Sequence, residues 1–230
     1  SLHDALPICK NQRLNEVFET ARRIYFGDED RLVFFSDVHR GDNSWADEFA
    51  RNQIIYSYAL QHYFESGFTY VEVGDGDELQ KFKHIEVIRV AHVHIYRLLS
   101  AYQQENRFYY VFGNHDIQYR NSDQLAKKLK RHNGRFKQRE EFLLNDFTAY
   151  EGLIFAHRES GVDFFVVHGH QGELLSDQLS WLSQAFLRRL WRPLQLFGFQ
   201  SPLNVSDNPL KRQLIECQLI DWVNDTGHPL

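Results

Sequence analysis

The chain of 230 residues has no methionine and only two cysteines, Cys9 and Cys217. Two cysteines cannot form a disulfide framework, and neither is paired with histidine at the spacing of a structural zinc site. A reducing, cytoplasmic setting is therefore expected. Because even an initiator methionine is missing, residues 1–10 are interpreted as non-native or disordered sequence.

Long apolar runs are also lacking. The longest, such as Leu32 to Phe35 and Phe164 to Val167, are far shorter than the roughly 20 residues that a membrane-spanning helix needs. The first ten residues have neither the basic start nor the apolar stretch of a secretory leader. We therefore expect no transmembrane segment, whereas peripheral contact with a membrane stays open.

The charged residues form no basic stripe. The formal net charge is −5 at pH 7, with acids and bases interleaved, whereas a nucleic-acid-binding surface clusters Lys and Arg to neutralise phosphates. Nucleic acid is therefore not an expected partner. Apolar residues make up 43% of the chain, which is enough for a packed core, and a single domain over residues 11–230 is expected.

Three apolar segments rich in β-forming residues end in polar residues and glycine. They are Arg31 to Ser36, Phe68 to Val73 and Phe108 to Phe112. Between them, apolar residues recur at helical spacing over Ala46 to Glu65 and over Ile85 to Leu99. This alternation is typical of a parallel α/β sheet, whose ligand sites lie beyond the carboxyl ends of its strands.

The second half of the chain begins with a charged stretch, residues 127–141, which is predicted to be a solvated helix and loop. A hairpin is predicted from Gly152 to Ala156 and Val162 to Val167, and it would bring His168 to the same edge as the earlier strand ends. Residues 174–225 are predicted to form helices, with a loop at residues 198–209.

Four short polar motifs each follow a predicted strand. They are Asp37-Val-His39, Gly74-Asp75-Gly-Asp-Glu78, Gly113-Asn-His-Asp116 and His168-Gly-His170. Carboxylate, imidazole and amide oxygen are ligands of divalent metals of intermediate hardness, and the glycines allow the sharp turn from strand to loop. A single Asp-x-His pair occurs often by chance, but four polar motifs that follow strands at one edge of the sheet predict a metal site.

In order and spacing, these motifs resemble the signature of the calcineurin-like metallophosphoesterase family. The resemblance implies an α/β sandwich with central mixed sheets flanked by helices. It also implies two divalent metal ions, with Mn²⁺ expected first and iron or zinc as alternatives. Asp37 and His39 would hold the first metal, Asp75 would bridge both, and Asn114 and His168 would hold the second.

The same resemblance implies a hydrolase that cleaves a phosphate ester or pyrophosphate bond of a small phosphorylated substrate. The metals would share a water or hydroxide, lower its pKa and hold the phosphoryl oxygens for in-line attack. His115 would assist the leaving group, and Asp116 would orient its imidazole. Arg40 and His170 are predicted substrate contacts, with metal binding an alternative for His170.

Other histidines have a simpler interpretation. His62, His84, His92 and His94 lie in or beside predicted helices and are interpreted as surface or helix-packing residues. No metal role is assigned to them.

The last block of the family signature, Gly-His-x-His, is absent. Gly227-His-Pro-Leu230 matches only its first half, and the helical spacing from Leu214 to Trp222 makes Gly227 a helix stop. The missing ligands are expected beyond Leu230, with the second sheet incomplete and each metal lacking one imidazole. Weak metal binding and lack of activity in this chain are therefore an alternative that the sequence leaves open.

The segment from residue 174 to 199 has a broad apolar and aromatic face interrupted by Arg188, Arg189 and Arg192. It resembles the cap of the bacterial UDP-diacylglucosamine hydrolases, which cleave a pyrophosphate on a lipid-linked sugar nucleotide. Ordinary core packing is nevertheless the favoured interpretation of this face, and that enzyme usually carries arginine where this chain has His115. A noncatalytic binding module is a further alternative, although retention of costly buried polar groups argues for an enzyme.

Overall fold

The computed structural model describes residues 6–121, 144, 148–172 and 209–229. In these residues two β-sheets face each other and helices cover their outer faces, so the predicted α/β class is confirmed. The predicted helix and loop at 127–141 and the segment 174–208 fall outside this part of the chain.

The strands of the described residues are β1 (Arg22–Phe26), β2 (Leu32–Phe35), β3 (Thr69–Val73), β4 (Phe108–Val111), β5 (Ala149–Tyr150), β6 (Gly152–His157) and β7 (Asp163–Val167). The helices are α1 (Leu6–Thr20), α2 (Gln53–Glu65), α3 (Ile85–Ala91), α4 (Val93–Gln104) and α5 (Pro209–Thr226), with 3₁₀ turns at Phe49–Arg51, Ile117–Asn121 and His170–Gly172.

One sheet has the order β2-β3-β4-β5 with every neighbouring pair parallel. The other has the order β1-β6-β7, in which β1 is parallel and β7 antiparallel to β6. The three predicted strands of the first sheet and the predicted hairpin are confirmed. The strands β1 and β5 were not predicted.

Alternation of side chains along the strands divides the core into layers. Val71 and Val111 pack between the sheets against Leu153 and Phe155. Tyr70, next to Val71, points the other way and packs with α2 and α4. The strand ends that carry the polar motifs are therefore fixed by packing on both faces of the four-stranded sheet.

The helix predicted over Ile85 to Leu99 is interrupted at His92, which has non-helical backbone angles of φ −119° and ψ 36°. Its side chain is fully buried, and its Nε2 lies 2.9 Å from Oδ2 of Asp47. The packing interpretation is therefore confirmed for His92. His62, His84 and His94 are exposed, as the surface interpretation predicts.

Helices α1 and α5 pack on the outer face of the three-stranded sheet. Trp222 donates from Nε1 to Oδ1 of Asn15 over 2.7 Å and packs against Phe165 of β7. Helix α1 includes residues 6–10, which the sequence analysis set aside. Gly227, with φ of 72°, follows the end of α5 as predicted. None of the helices in the described ranges is both long and apolar enough to cross a membrane.

Candidate metal centre

The polar motifs meet where β2, β3, β4 and β7 end. The first three strands are parallel, so their carboxyl ends share one edge. Strand β7 belongs to the other sheet, yet Nε2 of His168, the residue after it, lies 3.2 Å from Oδ2 of Asp75. The predicted convergence of the four motifs is present in the structure.

Backbone hydrogen bonds tie the first two loops together. The amide of His39 donates to the carbonyl of Asp75 over 2.8 Å, and the amide of Arg40 donates to Gly76 over 2.9 Å. Asp37, His39 and Asp75 have φ between 53° and 54°, a left-handed conformation that non-glycine residues rarely adopt. Such backbone strain is held by surrounding contacts and is concentrated at functional sites.

Two groups of ligand-type side chains share the Asp75 carboxylate. Asp37, Asp75 and His168 form one group, and His39, Asp75 and His115 form the other, with the ligand atoms of each group within 4.8 Å of one another. The Nε2 atoms of His39 and His115 each lie 3.9 Å from Oδ2 of Asp75. Nε2 of His39 also lies 3.8 Å from Oδ1 of Asp37, so the predicted pair is adjacent. The second group adds His115, which had no predicted ligand role.

Asn114 lies between the loop glycine Gly113 and His115 and is half-buried. Its backbone carbonyl oxygen accepts a hydrogen bond of 3.0 Å from Nε2 of Gln80. This bond holds the backbone of the third loop against the second. The side-chain amide of Asn114 stays a predicted ligand.

Glu78 is the functional residue that the sequence analysis did not assign. Its carboxylate lies 3.2 Å from Nδ1 of His39 and 2.9 Å from Nδ1 of His115. The two imidazoles share one buried acid through Nδ1, and their Nε2 atoms turn toward Asp75. Carboxylates behind metal-ligating histidines fix the ring orientation in this way. The available signal was its position three residues after Asp75.

Asp116 was predicted to orient His115, but the structure gives that place to Glu78. The fully buried Asp116 carboxylate accepts hydrogen bonds from the amides of Gly113 and Gly76, over 2.6 and 2.8 Å, and from the hydroxyl of Tyr110. It therefore joins the second and third loops through their backbones. Its adjacency to His115 in the chain does not bring the two side chains together in this role.

The prediction that Arg40 contacts substrate is wrong. Arg40 is 1% exposed, with Nε 2.7 Å from Asp77 and one terminal nitrogen 2.7 Å from Glu72. A guanidinium sealed between two carboxylates under the site cannot reach a solute. Its charge offsets part of the cost of burying both acids.

His170 is buried, with its ring centroid 5.8 Å from that of His168 and 6.0 Å from that of Phe112. It lies beside the candidate centre but is in neither ligand group. The predicted contact of His170 with substrate or metal stays a prediction.

Charge coupling in the centre favours ionised acids and protonated imidazoles. Burial opposes both, but the hydrogen bonds from His39 and Ser36 lower the pKa of Asp37 to about 2. Burial would lower the pKa of His168, but its hydrogen bond to Asp75 outweighs this effect and the pKa is raised to about 9. Burial would also lower the pKa of His39, but Asp37 and Glu78 raise it to about 10. The fixed negative charge holds protons that a cation would displace.

Two glycines allow the close approach of the loops. A Cβ atom on Gly74 would collide with the ring of His168, and one on Gly113 would lie 2.7 Å from Cδ2 of the same ring and collide with Asp75. Gly74 also has φ of 77°, which disfavours any side chain. The glycines next to the ligands are therefore explained by space as well as by backbone conformation.

A third group of Asp28, His157 and Glu159 lies at the opposite end of the sandwich, where β1 and β6 end. Nδ1 of His157 accepts from the amide of Ser160 over 3.2 Å, which leaves the ring proton on Nε2, 3.0 Å from Asp28. The group forms a hydrogen-bonded turn, and no metal role is proposed for it.

The donor set at the strand ends fits divalent cations. It combines the carboxylates of Asp37 and Asp75 with three imidazoles and contains no thiolate, which suits manganese, iron or zinc. Comparison of the chain with protein-family models, curated proteins and solved structures finds no match.

Proposed function

We propose that this chain is a dinuclear metal-dependent phosphoesterase with a metallophosphoesterase-type fold. The observation that supports it is the sharing of the Asp75 carboxylate by two ligand groups, one completed by Asp37 and His168 and the other by His39 and His115. A carboxylate shared by two groups that each contain imidazole is suited to bridging a pair of cations. A small phosphorylated molecule is the proposed substrate.

When bound, two divalent cations would supply the positive charge that lowers the pKa of a water and stabilises the phosphoryl oxygens. His39 and His168 would hold them through Nε2, with their orientation set by Glu78 and by the carbonyl of Val73, which lies 3.0 Å from Nδ1 of His168. Asp75 would contact both cations, and Asp37 would complete the group that contains His168.

His115 would act on the leaving group. Its Nδ1 faces Glu78, and although burial opposes protonation, the Glu78 charge raises the pKa of His115 above its usual value. The ring is partly exposed, so Nε2 could donate a proton to a departing oxygen. The position of His115 also allows it to serve as a ligand beside His39. The two roles predict different metal contents for a variant that lacks His115.

The test compares Asp75→Asn and His115→Asn by metal analysis after loading with Mn²⁺ and by hydrolysis of bis(p-nitrophenyl) phosphate. We expect Asp75→Asn to lose both metals together. We expect His115→Asn to keep them and to lower turnover by about 10²-fold or more. Asp28→Asn is the matched control. Asp28 is exposed and lies beside His157 at the other end of the sandwich, so the same change is made far from the candidate centre.

Equal metal loss in Asp75→Asn and His115→Asn would show that His115 is a ligand and not a proton donor. No hydrolysis of phosphodiesters, phosphomonoesters or nucleotide anhydrides by the metal-loaded wild-type protein would contradict the proposed function. Metal binding without hydrolysis would then favour the noncatalytic alternative.

A further inference from the structure

Asp37 is the most exposed residue of the two ligand groups. Its side chain is 61% exposed, whereas the side chains of the other four residues are between 4% and 29% exposed. Packing does not hold a carboxylate with this exposure, and ordering a mobile side chain opposes the binding of a cation. The orientation of Asp37 therefore depends on specific hydrogen bonds.

Ser36, the residue before Asp37, supplies such a bond. In the parallel pair of β2 and β3, Phe35 lies opposite Glu72, so Ser36 comes beside Val73 just past the end of β2. The hydroxyl of Ser36 donates to Oδ2 of Asp37, and its Oγ also lies 2.8 Å from the carbonyl oxygen of Val73. The exposed carboxylate is thus connected to the end of the neighbouring strand.

The hydroxyl of Ser36 has one proton and faces two acceptors. An ionised carboxylate accepts a stronger hydrogen bond than a carbonyl does, so Asp37 receives this proton in the cation-free centre. The carbonyl of Val73 also faces Nδ1 of His168, at 3.0 Å. Asp37 and His168, which belong to one ligand group, are therefore both oriented beside the carbonyl of Val73.

We propose that Ser36 is a positioning residue for the cation of the ligand group that contains Asp37 and His168. This inference rests on the proposed dinuclear centre. Ser36 fixes Oδ2 of Asp37, so that Oδ1, which lies 3.8 Å from Nε2 of His39, stays turned toward the centre. Hydrogen bonds that orient a ligand in this way change metal affinity by roughly 10- to 100-fold. The rings of the other ligand group are oriented by Glu78 and do not contact this hydroxyl.

Titration of the metal-free protein with Mn²⁺ alone tests the proposal, because it measures the number and affinity of bound ions without a substrate. Ser36→Ala removes the hydroxyl, and Ser36→Thr keeps it. Since Ser36 is exposed at the end of a strand, neither change disturbs the core. The matched control is Ser160→Ala. Ser160 is also exposed, and its Oγ lies 3.0 Å from Nδ1 of His157 at the other end of the sandwich.

We expect Ser36→Ala to bind one of two Mn²⁺ ions about tenfold more weakly and the other as tightly as the wild type does. Ser36→Thr should restore the wild-type affinity, and Ser160→Ala should not alter it. The metal-free proteins should share one melting temperature. Unchanged affinity in Ser36→Ala, equal weakening of both ions, or no restoration by threonine would overturn the proposal. A lower melting temperature of metal-free Ser36→Ala would also overturn it, since the hydroxyl would then stabilise the fold.

A second comparison identifies the ion. His168→Asn removes a ligand of the same group, so addition of Ser36→Ala to this variant should weaken Mn²⁺ binding no further. An additional loss of about tenfold would assign the effect of Ser36 to the other ion and would overturn the proposal. Two bound Mn²⁺ ions without hydrolysis would contradict the phosphoesterase alone, whereas a wild-type protein that binds no Mn²⁺ would overturn both.

Discussion

Among single residues, Glu78 sets the chemistry of the candidate centre, although it is in neither ligand group. It is buried and faces Nδ1 of both His39 and His115. Burial would raise its pKa, but the charges and hydrogen bonds of the two imidazoles hold the pKa well below the usual value. One carboxylate therefore fixes two rings and favours their protonated forms in the absence of a cation.

Replacement of Glu78 should alter both the rate and its dependence on pH. In Glu78→Gln we expect activity to fall by about 10- to 100-fold. The descending limb of the pH–rate profile should move to lower pH, because the pKa of His115 falls without the carboxylate. The profile is measured with metal-loaded protein, and Glu159→Gln at the far end of the sandwich is the control. A profile that keeps its shape and position would contradict this role.

Adjacency in sequence was a good guide to Asp37, His39, Asp75 and His168 and a poor one to Arg40 and Asp116. The first four follow strand ends, and parallel strands bring such ends together. Arg40 follows a ligand, but its partners Glu72 and Asp77 are 32 and 37 residues away in the chain. Nothing in the local pattern indicates that its side chain turns inward.

At the scale of elements, the centre depends on how sharply each strand turns into its loop. β3 ends at Val73, and Gly74 and Asp75 both have positive φ. This double reversal brings the Asp75 carboxylate to His168 of the opposite sheet. The turn requires glycine at position 74 for conformation and for space.

A matched pair of substitutions separates these two requirements. Gly67 has φ of 79° and open space where an added Cβ would lie, whereas Gly74 has φ of 77° and the His168 ring at that place. Gly67→Ala should therefore lower the free energy of unfolding by about 1 kcal/mol, from backbone conformation alone. Gly74→Ala should cost roughly 1–3 kcal/mol more, because the ring must move. Urea denaturation measures both, and equal costs would rule out the crowding argument.

Elements with a strong apolar pattern were predicted and those with a weak one were not. The apolar runs of β2, β3 and β4 end in polar motifs and were predicted to within a few residues. β1 was missed because Arg22 and Arg23 open it and both are exposed at a sheet edge. The break at His92 could not be predicted, since its cause is a hydrogen bond to Asp47 across 45 residues of chain.

For the whole molecule, the layer beneath the centre holds more buried acid than base. Arg40 faces Glu72 and Asp77, and Asp77 also accepts hydrogen bonds from Tyr96 and Tyr119. Burial raises the pKa of Glu72 from 4.5 to about 7 even though Arg40 opposes this change. The folded protein therefore keeps a proton here in a range where the unfolded chain has released it.

This proton makes overall stability depend on pH. Because the native state binds more protons at Glu72 than the unfolded state between pH 4.5 and about 7, this residue's contribution to stability falls as pH rises through that window. The free energy of unfolding of Glu72→Gln, minus that of the wild type, should therefore rise by about 3 kcal/mol across the window. Chemical denaturation at several pH values measures the difference, and a constant difference would contradict the assignment.

Because of the position of His168, the geometry of the centre depends on how the two sheets are aligned. Its Nε2 reaches Asp75 over 3.2 Å from the end of β7, whereas Asp37, His39, Asp75 and His115 follow strands of the four-stranded sheet. A slip of one residue between the layers, about 3.3 Å, would separate the two atoms. Cations bound by residues of both sheets would fix the position of one sheet relative to the other. Binding at this edge would therefore stabilise the packing of the two sheets throughout their shared core.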